Sequence, residues 1–127
     1  MGVRPYEDAC DCIGCAAIAA CLSTPASAQN VGGRYQVIGK NFNGSPYSGT
    51  AEITVTSANT CRIVWVTGGT RSSGICMRNA NAFSAGYMLN GKVGLVIYEL
   101  KGDGSLDGLW TIADQTGVGG ERLVPLR

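Results

Sequence analysis

From Gly33 onward the chain is punctuated by turn-forming residues at intervals of roughly ten positions, a spacing that leaves room only for short strands. Asn43-Gly44 suits a type I′ hairpin turn, and Ser57-Ala58-Asn59, Gly68-Gly69 and Asp103-Gly104 mark further reversals. The runs between them, 33–41, 47–56, 60–67, 70–78, 82–89, 92–101, 106–113 and 120–126, read as eight strands. In the second run Ala51, Ile53 and Val55 alternate with Thr50, Glu52, Thr54 and Thr56, the period of a half-buried strand. No helical periodicity of useful length follows Leu22.

Short strands joined by tight turns pair with their sequence neighbours. Closing such a meander removes its two open edges, and eight strands enclose a space that side chains fill or that one small ligand occupies. The expected fold is therefore all-β, a single small antiparallel up-and-down barrel of about eight strands, calycin-like, spanning residues 30–127. A two-sheet sandwich is the alternative. The segment 42–49 (FNGSPYSG) echoes 102–108 (GDGSLDG), which predicts two hairpins with the same turn chemistry.

Residues 1–28 read as a signal-like leader that is removed. A short apolar stretch (IGCAAIAACL, 13–22) precedes Ala26-Ser27-Ala28, small residues suited to a signal peptidase. Its front end carries Arg4 against Glu7, Asp8 and Asp11, where a basic start is usual. Cys10, Cys12, Cys15 and Cys21 then belong to the leader, ahead of a thiolate metal cluster. Ile18-Ala19-Ala20-Cys21 offers a lipobox alternative in which Cys21 carries a lipid anchor. Export to the periplasm or beyond is the expected location.

Cys61 and Cys76 follow from turn geometry. If Gly68-Gly69 is a two-residue loop, Thr67 faces Thr70, Trp65 faces Ser72 and Cys61 faces Cys76 on the same side of neighbouring strands. In an exported domain that pair is expected to oxidise to a disulfide.

The chemistry present argues against an enzyme. The chain has no histidine, the commonest general base, and no nucleophile-elbow or P-loop motif. Asp103-x-Ser105-x-Asp107 lacks the remaining ligands of a calcium loop and reads as a turn. No cofactor and no metal are expected. Charged residues make up 15% of the chain and hydrophobic ones 45%, which fits neither disorder nor a membrane span. After residue 28, nine bases face six acids, a net +3, but the bases are scattered, so a nucleic-acid partner is not expected. Tyr35, Trp65, Phe83, Tyr87, Tyr98 and Trp110 lie within strands as core residues or as the lining of a ligand cavity. Glu99 and Glu121 are expected to pair with Arg34, Arg62 or Arg122 and brace the barrel mouth.

The stretches GRYQVIGKNFNGSPYSGTAEITVTSANTCRIVW, SSGICMRNANAFSAGY and GLVIYELKGDGSLDGLWTIADQTGVGGERL resemble a family of small secreted proteobacterial proteins. That family is mostly uncharacterised, and some members are labelled fibronectin-binding. The resemblance implies a non-catalytic extracytoplasmic binding module for a host or matrix protein such as fibronectin, or for another exported protein. Two other functions fit the scaffold. One is a carrier of a small apolar ligand inside the barrel. The other is a periplasmic enzyme inhibitor that presents an exposed rigid loop or an N-terminal arm, residues 29–33.

Overall fold

A computed structural model of the chain describes residues 30–126; the expected leader with its cysteines, and the alternative lipobox at Cys21, fall outside the described residues. Eight strands follow one another: β1 (Gly33–Lys40), β2 (Pro46–Val55), β3 (Thr60–Thr67), β4 (Thr70–Asn79), β5 (Ala82–Leu89), β6 (Lys92–Leu100), β7 (Leu106–Ile112) and β8 (Gly119–Pro125). Each pairs antiparallel with the next, and β8 returns to β1, so the sheet is a closed barrel. The sandwich alternative is thereby set aside.

The turns explain the register. Gly68 and Gly69 both have positive φ (56° and 80°), as a type I′ loop requires, and β3 meets β4 with Thr67 opposite Thr70. Three two-residue steps down the ladder, Cys61 stands opposite Cys76, and the two form a disulfide with their Cα atoms 4.9 Å apart. Asn90 and Gly91 (φ 52° and 78°) make the equivalent loop between β5 and β6.

Asn43-Gly44 behaves differently from the expected type I′ turn. Only Gly44 has positive φ (86°), its N–H donates to the Asn41 carbonyl at 2.9 Å, and Asn41 N–H donates to Ser45 at 2.8 Å. This is a three-residue loop closed by a left-handed glycine. The Asn43 side chain selects it by accepting from both the N–H (3.0 Å) and the hydroxyl (2.7 Å) of Ser45. Lys101–Ser105 repeats the arrangement, with Asp103 accepting from Ser105 N–H and hydroxyl at 2.9 and 2.6 Å and Gly104 at φ 87°. The sequence echo is thus one turn used twice. The Ser105 hydroxyl, followed by its backbone N–H and the nearby Arg122, holds the Asp103 carboxyl below its ordinary pKa.

Period-two alternation sorts the side chains between the wall's two faces. The inner face of the lower half holds Val37, Ile53, Ile63, Phe83, Leu106 and Leu123, each at most 2% exposed. Burying side chains of this size contributes roughly 1.5–3 kcal/mol apiece. Val31 closes that end at 5% exposure, and the Tyr35 hydroxyl donates to its carbonyl at 2.6 Å. Residue 31 is therefore tucked into the barrel and not free at the centre of the 29–33 arm. Val55, at the end of β2, leaves the buried face of Ala51 and Ile53 and is 46% exposed.

Candidate functional site

The mouth lies at the end carrying the β1–β2, β3–β4 and β5–β6 turns, where the interior is not filled. A cavity of about 320 Å³ opens there, bordered by Asn41, Gly68 and Asn90 of those turns. Its walls are Tyr47, Trp65, Tyr87, Trp110, Val96 and Leu89, with Thr67, Thr70 and Ser72 as hydroxyl-bearing edges and Glu121 as the only charged side chain lining it among the described residues. That volume lies at the lower end of the range for small-molecule pockets.

A single row of the sheet organises the polar floor. Across β2, β1, β8, β7 and β6 the register places Tyr47, Gly39, Glu121, Gly108 and Tyr98 side by side. Glu121 therefore has a glycine on each flank and a tyrosine one strand beyond each. Both rings lean inward over their glycines, where any Cβ would overlap them. Tyr47 donates to Glu121 Oε1 at 2.6 Å, and Tyr98 donates to Oε2. The Trp65 indole N–H adds a third bond to Oε2 at 2.9 Å and also reaches the Tyr98 hydroxyl at 3.3 Å. Among the described residues no cation pairs with Glu121.

The same small–large pairing recurs on the other side of the mouth. Tyr87 lies over its partner Gly94 and Trp110 over Gly119. A side chain on either glycine would displace the ring and reshape the cavity. Tyr87 is edge-on to Trp65 with ring centres 5.3 Å apart, and its hydroxyl donates to the Thr111 carbonyl at 3.1 Å. Trp110 stacks on Phe42 at 4.8 Å and meets Tyr47 edge-on at 6.3 Å. The Trp110 indole N–H is buried without an acceptor among the described residues.

Burial and the neighbouring Glu121 charge raise three phenols. Tyr87 is pushed up to about 12, Tyr47 rises further and Tyr98 is held well above its ordinary value, in each case by burial first and Glu121 second. All three stay protonated as hydrogen-bond donors at neutral pH.

The aromatic residues singled out from sequence divide by depth. Trp65, Tyr87 and Trp110 line the cavity. Tyr35 and Phe83 belong to the packed lower half, and Tyr98 sits between, edge-on to Phe83 at 5.8 Å with its hydroxyl on the polar floor. Glu99 and Glu121 do not brace the mouth with arginines. Glu121 points inward to neutral donors, Glu99 pairs outside with Lys101 at 3.1 Å, and Arg122 reaches Asp103 and Asp107 at 3.5 Å each. The reason is parity: Glu121 shares its face with Gly119 and Leu123, both buried, whereas Arg122 alternates outward. Tyr47 and Glu121 were not among the expected cavity residues. Tyr47's parity with Ala51 and Ile53, and Glu121's with Leu123, are the signals that find them. Among the described residues no cluster of three or more metal-ligating side chains forms.

Fold and site together define an eight-stranded antiparallel up-and-down barrel with an open, aromatic-lined interior. No protein-family model and no curated protein matches the chain. Among solved structures it is similar to a de novo designed fluorescence-activating β-barrel, at 15% identity over 80% of this chain and 99% of that one, with TM-score 0.62. It is also similar to a redesigned β-barrel bound to DFHBI, at 16% identity over 77% and 98% of the two chains, with TM-score 0.65. At such identities the likeness shows the fold.

Proposed function

We propose that the domain is a non-catalytic carrier that holds one small, largely apolar ligand in the mouth of the barrel. The carrying observation is the unfilled 320 Å³ cavity between Tyr47, Trp65, Tyr87 and Trp110, in a barrel whose other half is packed. Flat apolar walls with a few convergent polar groups are what small-molecule sites use. That the redesigned barrel of the same fold is bound to DFHBI supports the reading by analogy. The Cys61–Cys76 disulfide is consistent with an oxidising, exported compartment.

Titration with N-phenyl-1-naphthylamine, a neutral dye that brightens in apolar surroundings, tests the carrier. One saturable site is expected, with energy transfer from Trp65 and Trp110, and Ser72→Trp should fill the mouth and abolish it. A dye response unchanged by Ser72→Trp would rule out the cavity as the site.

The outer wall favours a second reading, a protein-binding module of the kind the family resemblance implies. Ile75, Met77, Met88, Val93, Leu95, Ile97 and Leu109 on β4–β7 are each 50–66% exposed. Exposed apolar residues grouped on neighbouring strands in this way mark interaction surfaces. The occupant this reading commits to is an exported matrix protein such as fibronectin. Binding to immobilised fibronectin that Ile97→Lys abolishes would support it. Binding no stronger than to an albumin-coated surface would sink it, and concentration-dependent dimerisation lost in Ile97→Lys would reassign the face to a second copy of this chain.

A further inference from the structure

We infer that the cavity's ligand is an organic cation, an amine or quaternary ammonium carried on a small apolar body. This deepens the carrier reading and rests on it. Glu121 brings a carboxylate into a cavity whose other lining side chains are aromatic, aliphatic or neutral polar, and removing such a group from water is costly unless partners compensate it. Three neutral donors do so in part: Tyr47, Tyr98 and Trp65. Two carboxylate oxygens offer about four acceptor positions, so about one is left for the cavity side.

Among the described residues the cavity has no cation of its own. Neither Lys nor Arg is among its lining residues. Three basic side chains of β6, its following turn and β8 are engaged outside: Lys92 with Asp114 at 2.8 Å, Lys101 with Glu99, and Arg122 with Asp103 and Asp107. A ligand bearing positive charge would complete the ion pair that the chain leaves open.

The walls favour the same charge. Trp65, Tyr87, Trp110 and Tyr47 surround the space, and the electron-rich faces of such rings attract ammonium groups. An anionic ligand would meet Glu121 with like charge and find no basic side chain. A neutral one would gain the apolar contacts and at most an uncharged hydrogen bond to Glu121.

A matched series decides the question by isothermal titration of the oxidised barrel: phenethylammonium, phenethyl alcohol and 3-phenylpropionate, which share a body and differ in charge. The cation is expected to bind about tenfold or more tighter than the alcohol. The anion should bind weakest. Glu121→Gln keeps the volume and an acceptor oxygen, so it should retain the alcohol and lose the cation's advantage. If that variant does not fold, the series on the unaltered protein stands alone. Equal affinity for cation and alcohol, or tighter binding of the anion, overturns the charge assignment. If all three fail while the naphthylamine dye still binds at the mouth, the cation proposal falls and the carrier stands. If the dye fails too, both fall.

Discussion

Tyr47 reaches Glu121 from two strands away, its hydroxyl donating to Oε1 at 2.6 Å across the bare α-carbon of Gly39. Tyr98 makes the mirror approach across Gly108. The barrel wall thus carries its one inward carboxylate between two gaps, and two phenols fill the gaps. The arrangement ties the polar floor to the sheet register, so a change at a glycine should be felt at the site.

Gly39→Ala places a methyl inside the Tyr47 ring and should push that ring away from Glu121. Such overpacking costs about 1–3 kcal/mol. Gly74→Ala should cost more, because its methyl would meet the Gly86 carbonyl, backbone that cannot swing aside as a ring can. Urea unfolding of the two variants orders them, and a Gly74→Ala barrel as stable as Gly39→Ala would contradict the account.

Removing the Tyr98 hydroxyl leaves Glu121 with two donors. Tyr98→Phe is expected to lose about 1.5–3 kcal/mol, the range for a hydrogen bond to a charged group. Chemical denaturation measures it. A neutral result would mean that Tyr47 and Trp65 satisfy the carboxylate alone.

Replacing Cys61 and Cys76 together by Ser should lower stability by about 3 kcal/mol, the chain-entropy value for a loop of 15 residues. Comparing unfolding of this variant with the oxidised parent gives the figure. The Gly68-Gly69 hairpin already holds the strands in register, so the barrel should survive the change with its circular-dichroism spectrum intact.

Stability should fall at alkaline pH. The folded barrel holds the Tyr87 proton up to about 12, that of Tyr47 beyond and that of Tyr98 well above its ordinary value, while the unfolded chain releases all three near 10. The unfolded state then binds fewer protons, so stability is flat below about pH 10 and declines as pH climbs from there towards 12. Unfolding midpoints against pH, with tyrosinate absorbance followed in parallel, test the sign. Ionisation of all the tyrosines near 10 without unfolding would refute it.

Eight strands and the opposition of Cys61 to Cys76 were legible because both depend on local rules. Turn residues end strands, and a two-residue loop fixes the pairing of everything along its hairpin. The Asn43-Gly44 loop marks the edge of that legibility: the dipeptide signalled a reversal, but its side-chain bonds to Ser45 chose another turn type.

The sequence by itself determined strand number, neighbour pairing, the disulfide and the echo between the Asn43 and Asp103 turns. Only the tertiary structure decided how β8 closes on β1. That closure sets Glu121 between Gly39 and Gly108, residues 82 and 13 positions away, and aims two tyrosines at it. It also decided which face of β6 is the core. In KVGLVIYEL, Val96 and Tyr98 are buried while Leu95 and Ile97 stand in solvent. Apolar residues on both faces carry no parity signal, so the outer apolar wall was invisible to alternation. Local sequence constrains local geometry, whereas barrel closure and shear are collective, and the site belongs to them.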